Sequence, residues 1–245
     1  MLERPKTAAV IIIGNEILSG KTRDENSHYL AGELRALGVE LALVAVIPDI
    51  VEEIAGAVAE CSRKFDYVFT SGGVGPTHDD VTFEGVARAF GVGLVENGQL
   101  MSLITRKCGE ALSKTAVRMA LLPEGAELVE MEGMNFPPVQ IRNVYVFPGV
   151  PEFLRAKFHR MKERFRQKPF YIKRVYLEED ECRIADALSS TATEFGGVEI
   201  GSYPKSGNDG FRVLVTMESR DEETLKRAFN KLLSLLPSGI VVKIE

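Results

Sequence analysis

The stretch Thr70-Ser71-Gly72-Gly73-Val74-Gly75-Pro76-Thr77-His78-Asp79-Asp80-Val81-Thr82 concentrates groups able to hold an anion. Glycines allow positive φ and close backbone approach, and hydroxyls with free N–H groups ahead of a helix form a concave phosphate site. A plain strand-to-helix turn with Asp and Thr caps uses the same residue types. Asp79 and Asp80 tip the reading toward a ligand. Two adjacent carboxylates repel a phosphate unless a divalent cation lies between them, bridging hard oxygens on both sides. Thr70, Ser71, Gly72, Gly73, Gly75 and Thr77 are therefore candidate binding residues, and Asp79 and Asp80 candidate metal ligands.

A second polar stretch, Gly14 to Asn26, follows an apolar β-branched run. Its Ser19-Gly20-Lys21-Thr22 suggests a Walker A loop, but that motif encloses four residues between its first Gly and Gly-Lys, and here Gly14 and Gly20 enclose five. The P-loop is rejected, leaving a polar loop on the carboxyl side of a strand, where open α/β sheets bind ligands. Glu16, Ser19 and Asn26 are candidates there; Asp24 and Asn26 serve equally as helix caps. Asp49 reads as a cap or a site carboxylate, and Pro148-Gly149-Val150-Pro151-Glu152 as a helix start or an anion site. His78 is the one histidine placed to touch a substrate, and the basic residues of helix 153–166, Lys157 among them, read as a solvated face.

The elements that must position these residues alternate as βαβ units. Ala8–Ile13 has no period-2 alternation, as expected of a strand covered on both faces. Strands are expected at 41–47, 67–70 and 144–147, and helices at 26–37, 51–61, 83–90 and 152–166. The strand ends at 13, 47, 70 and 147 would meet at one edge of a largely parallel sheet, gathering Glu16, Asp49, Asp79 and Asp80 beside two helix N-termini. From Tyr171 the order becomes β-α-β-β-α-β, with Lys205–Gly210 as a hairpin loop. The expected fold is a three-layer α/β/α domain over residues 1–167 and a small α+β domain over 168–245.

Composition excludes several classes. Of 245 residues, 45% are hydrophobic and 27% charged, the profile of a folded globular chain. Apolar runs such as Ala8–Ile13 fall far short of the about 20 residues of a membrane span, and the N-terminus lacks a secretory pattern, so a cytoplasmic protein is expected. Cys61, Cys108 and Cys182 lie 47 and 74 residues apart, without zinc-site spacing. Net charge is −3 over residues 1–167 and −2 over 168–245, which argues against nucleic acid as a partner.

Through Gly14-Asn15-Glu16-Ile17-Leu18-Ser19-Gly20, Pro48-Asp49, the Thr70–Thr82 loop and Phe147-Pro148-Gly149-Val150-Pro151-Glu152, residues 8–167 resemble the MoaB/Mog superfamily. The loop ending His78-Asp79-Asp80-Val81-Thr82 is similar to the CinA branch and to the molybdopterin-binding-like domain of eukaryotic FAD synthase; Arg142–Glu152 and the C-terminal domain lean toward the latter. The resemblance implies a MoaB-like fold, often a homo-oligomer (dimer or trimer), and a metal-dependent pyrophosphatase that cleaves FAD or ADP-ribose to release AMP. Asp49 and Asp80 match the acidic pair of Mog and MoaB proteins and are the expected catalytic residues; Asp79 is the extra carboxylate of the CinA-like loop. A divalent cation held by Asp49, Asp79 and Asp80 is expected, Mg²⁺ first and Mn²⁺ or Co²⁺ as alternatives, with K⁺ as an accessory ion. Met131–Pro137 departs from the corresponding CinA stretch, which leaves the substrate open. Neither the CinA deamidase domain nor the FAD synthase adenylyltransferase domain is recognised, and no Gly-x-x-Gly RNA clamp is present. Alternatives are a molybdopterin adenylyltransferase-like enzyme and a pterin or nucleotide carrier or sensor. In every case the partner is a small-molecule nucleotide or pterin, without a membrane.

Overall fold

The computed structural model describes residues 4–108, 117–129, 136–205 and 210–245. Residues 131–135 of the Met131–Pro137 stretch and 206–209 of the Lys205–Gly210 loop lie outside the described residues, as does the side chain of Cys108. Two units result, Met1–Gln167 and Lys168–Glu245.

The first unit runs β1 (Thr7–Ile13), α1 (Asn15–Leu18), α2 (Asn26–Ala36), β2 (Glu40–Ile47), α3 (Val51–Lys64), β3 (Tyr67–Ser71), α4 (Thr82–Phe90), β4 (Leu94–Glu96), α5 (Gly98–Cys108), β5 (Leu121–Pro123), β6 (Glu127–Leu128), β7 (Val139–Ile141), β8 (Val144–Phe147) and α6 (Pro151–Met161). The sheet order is β2-β1-β3-β8-β7-β6, parallel from β2 to β8 and antiparallel beyond. Alternation along β1 feeds two cores. Ala9, Ile11 and Ile13 pack with Ile54, Val58, Val86 and Ile104 of α3, α4 and α5. Ala8, Val10 and Ile12 pack with Leu30, Leu34, Leu154 and Phe158 of α2 and α6. Because both faces are dry, no position of β1 from Ala8 onward tolerates a polar side chain.

Two local readings are corrected. Residues 14–26 are not all loop: Asn15–Leu18 forms one helical turn, with Ile17 packed on the α2/α6 core. The apolar stripe that predicts a helix to Arg166 instead ends its α-helix at Met161 and tightens into a 3₁₀ turn, Lys162–Phe165. The tighter turn sets the Phe165 ring edge-on to Phe69 and Tyr145, with centroids 5.1 and 5.0 Å away.

The second unit runs β9 (Tyr171–Leu177), α7 (Glu181–Glu194), β10 (Glu199–Pro204), β11 (Val213–Ser219), α8 (Glu222–Leu235) and β12 (Val241–Ile244). Its antiparallel sheet has the order β10-β11-β9-β12. β11 alternates buried and half-buried residues, placing Val213, Val215 and Met217 against Leu225, Phe229 and Leu232 of α8. Among the described residues no helix is long and apolar enough to cross a membrane.

Asp66 locks the entry of β1. Its carboxylate accepts from Arg4 Nη1 (2.8 Å) and Nη2 (2.9 Å), Lys6 Nζ (3.1 Å) and the Thr7 N–H (2.9 Å). Burial opposes the charge, but the Thr7 N–H and the two cations win and hold the carboxyl well below the ordinary carboxylate range. A depressed folded-state pKa contributes stability above the unfolded value of about 3.9 and loses it as pH falls toward the folded value. Asp66→Asn should therefore cost about 1–2 kcal/mol in urea unfolding at pH 7, and the gap to the unsubstituted protein should narrow progressively as pH falls below about 4.

Candidate functional site

The parallel register pairs Ile13 with Ile47, Ile12 with Ser71 and Ser71 with Phe147, so residues 14, 48, 72 and 148 leave the sheet at one edge. There the chain crossings are too close for side chains. Gly72 stands at φ +109°, and a Cβ on it would lie 2.0 Å from the Ile13 carbonyl oxygen. A Cβ on Gly149 would lie 3.3 Å from the Gly72 Cα, and one on Gly73 (φ +59°) would lie 2.4 Å from Thr82 Oγ1. Side chains stitch the same crossing. Asn26, 6% exposed, donates from Nδ2 to Ser71 Oγ (2.9 Å) and to the Gly149 carbonyl (2.7 Å). Ser71 Oγ donates to the Pro148 carbonyl (3.2 Å), and Thr82 Oγ1 to the Gly72 carbonyl (2.8 Å).

The candidates thus separate by role. Thr70 and Ser71 are buried in β3; Ser71 is bonded into the crossing, whereas the Thr70 hydroxyl has no hydrogen-bond partner among the described residues, and Asn26 is a clamp. Asp24, not Asn26, caps α2, accepting from the Asn26 (2.9 Å) and Ser27 (3.0 Å) N–H groups. Glu16 is exposed and folds its carboxylate over Gly14, while Ser19 Oγ bonds the Glu16 carbonyl at 3.3 Å. Asp49 accepts from the Asn15 N–H at 2.7 Å, at the start of α1. Asp80 accepts from the Thr77 N–H (2.8 Å) and the Thr77 hydroxyl and lies against Gly75, where a Cβ would come within 2.6 Å of its Oδ2. Asp79 is exposed. His78 is solvent-exposed, with Nδ1 3.9 Å from Asp79 Oδ1.

The expected three-carboxylate cation site is therefore corrected. Among the described residues no three of His, Cys, Asp and Glu converge as metal ligands; Asp49, after β2, accepts from the Asn15 N–H, and β1 lies between β2 and the β3 that leads to Asp79 and Asp80. Asp79 and Asp80 remain as an adjacent pair. That donor set fits a hard cation of the Mg²⁺ kind, which takes one or two carboxylates and completes its shell with water and substrate phosphate.

Beside Asp80 opens a small cleft with a cavity volume of about 70 Å³. Gly73, Gly75, Asp80, Pro148 and Lys157 line it together with an apolar wall of Phe83, Leu94, Leu100, Met119 and Phe136. Glu84 and Arg118 also line it, paired at 2.9 Å. Lys157 was expected on a solvated face; instead it is half-buried in the cleft, and burial pushes its ammonium down to about 8. Its sequence signal was its spacing, three residues after buried Leu154 and four before buried Met161, at the margin of the apolar stripe. The Glu84–Arg118 pair spans 34 residues and left no local signal.

A doubly covered parallel sheet with a glycine turn and paired carboxylates at its carboxyl edge, followed by a split βαβ unit, defines a MoaB/Mog-type fold with an added α+β domain. The chain belongs to that family: residues 9–167 match the "probable molybdopterin binding domain", and residues 169–245 match the "FAD synthase, middle domain". A "probable FAD synthase" of Caenorhabditis elegans is 34% identical over 264 residues, covering 96% of this chain and 51% of the relative. The chain thus spans about half the length of that curated relative. A protein of Archaeoglobus fulgidus is 37% identical over 229 residues, covering 93% of this chain and 96% of its own. Among solved structures, the protein CinA of unknown function from Thermoplasma acidophilum aligns with a TM-score of 0.61 at 31% identity, covering 66% of this chain and 98% of that one.

The close crossing supplies a direct test. Gly72→Ala forces a Cβ into the Ile13 carbonyl at a positive φ, and should destabilise the first unit by more than about 3 kcal/mol in chemical unfolding. Asn26→Ala should cost about 1–3 kcal/mol, since it leaves the Gly149 carbonyl and Ser71 hydroxyl without their donor.

Proposed function

We propose that the first unit hydrolyses the diphosphate of a dinucleotide of the FAD or ADP-ribose kind, releasing AMP. The observation that carries this reading is the juxtaposition of the Gly73–Gly75 turn with Asp80 in the lining of one cleft, Asp79 being its neighbour in the chain. A glycine turn admits a phosphoryl group to the backbone, and adjacent carboxylates beside it are tolerable only with a cation between. Relatives named "probable FAD synthase" and a second unit of the FAD synthase middle-domain type support a flavin nucleotide as the ligand.

In this reading Asp79 and Asp80 hold the divalent cation, which when bound neutralises diphosphate charge and polarises the phosphorus. Thr77 fixes Asp80 by two hydrogen bonds, so the carboxylate waits in one orientation. The apolar wall of Phe83, Leu94, Leu100 and Phe136 shields a planar ring from water, and Gly75 leaves room for Asp80. Water adds to phosphorus as the anhydride P–O bond breaks, giving FMN and AMP from FAD. Asp49 acts by shaping the Gly14–Gly20 segment through the Asn15 N–H.

A second reading, a pterin ligand with adenylyl transfer from ATP, is favoured by the match to the "probable molybdopterin binding domain". Assembly as a homo-oligomer is supported by edge strand β2, where Leu43, Val44 and Val46 are exposed at 39%, 44% and 36%.

Purified protein incubated with FAD, ADP-ribose, or ATP plus molybdopterin, with Mg²⁺, Mn²⁺ or Co²⁺ and with or without K⁺, is expected to release AMP from FAD or ADP-ribose. Asp80→Asn should lower that turnover at least about 100-fold with an unchanged melting temperature. Adenylated pterin as the product would establish the second reading, and ligand binding without turnover would establish a carrier.

A further inference from the structure

Of the two cationic groups that line the cleft, one is matched within the protein: Arg118 pairs with Glu84 at 2.9 Å. Lys157 is the exception: among the described residues it has no ion-pair partner, and burial is the sole influence on its ammonium. A cation withdrawn from water without a counter-charge is a standing cost to the fold, and most of the cleft's lining is apolar. Lys157 lines the same cleft as Gly73, Gly75 and Pro148, the turns at the carboxyl ends of β3 and β8, so one cleft presents both a backbone turn and a cation to an anionic ligand.

We propose that Lys157 is a substrate-binding residue that contacts a phosphoryl group of an anionic ligand in this cleft, its charge being left unmatched until that ligand arrives. The inference rests on the cleft taking a phosphorylated ligand, as in the reading above, but not on the ligand being hydrolysed. Lysine serves such a group as a compact point charge with three donors, without the fixed bidentate geometry of arginine. Arg118, fixed by Glu84, cannot supply that charge without breaking its own pair. Asp79 and Asp80 would reach the ligand through a cation and Lys157 directly, so the two contacts respond differently to chelation.

The test is calorimetric titration of the full chain with ADP and with inorganic pyrophosphate, each with Mg²⁺ and with EDTA, for the unsubstituted protein, Lys157→Met and Lys157→Arg. Lys157→Met should weaken ADP binding at least about tenfold in both media, whereas Lys157→Arg, which keeps the charge, should stay within about threefold. Without ligand, Lys157→Met should melt no lower than the unsubstituted protein, because it removes a desolvated charge. Equal ADP affinity in Lys157→Met, an equal loss in Lys157→Arg, or no binding of either probe by the unsubstituted protein would overturn the proposal. Charge-dependent binding without AMP release from FAD or ADP-ribose would leave it standing and overturn the hydrolase reading.

Discussion

The site depends on one steric constraint, the approach of three backbone segments at the carboxyl edge of the sheet. Gly72 passes so close to the Ile13 carbonyl that a Cβ would sit 2.0 Å from it, and Gly149 in turn lies against Gly72. Only glycine has the positive φ and the missing side chain that this crossing demands. Once the strands leave the sheet that closely, the following residues must diverge around an open volume, and the Gly73–Gly75 turn, Pro148 and Lys157 become its lining. Asn26 converts the crossing from a close approach into a fixed joint by bonding two of the three segments at once.

Electrostatics divide the polar residues of that edge into those satisfied inside the protein and those left for something else. Asp24 and Asp49 accept backbone N–H groups at helix starts, where partial positive charge favours them. Asp79 stays open to solvent, Asp80 is oriented by Thr77, and Lys157 has no ion-pair partner among the described residues. In the proposed reading, an anion bridged to the two carboxylates by a hard cation would satisfy all three together, which neither a plain turn nor a set of helix caps would do.

Much of the fold was legible because burial on both faces leaves a distinct mark. Ala8–Ile13 reads as a continuous apolar run, and the structure places it between two cores. The shift to β-α-β-β-α-β after Pro169 was visible in spacing alone. Site roles were less legible, since a residue type advertises what it can bond and not which partner has taken it. Asp49 and Asp80 look alike in sequence; only coordinates show that one lies against the Asn15 N–H and the other against Gly75. Thr70 carries a ligand-competent hydroxyl that the structure places in a fully buried strand. Lys157 was misread because a basic residue at the margin of an apolar stripe defaults to solvent, and the wall that encloses it comes from residues as distant as Phe83 and Leu94.

The central claim, that this edge grips a polyphosphate between a backbone turn and a carboxylate-held cation, is tested most directly by crystals grown with ADP-ribose and Mn²⁺ and measured at the manganese absorption edge. The account predicts an anomalous peak at about 2.2 Å from oxygens of Asp79 or Asp80 and of the ligand, with the diphosphate lying in the cleft beside Gly73–Gly75. A diphosphate bound elsewhere on the first unit, or manganese absent from that pair while the nucleotide is present, would contradict it.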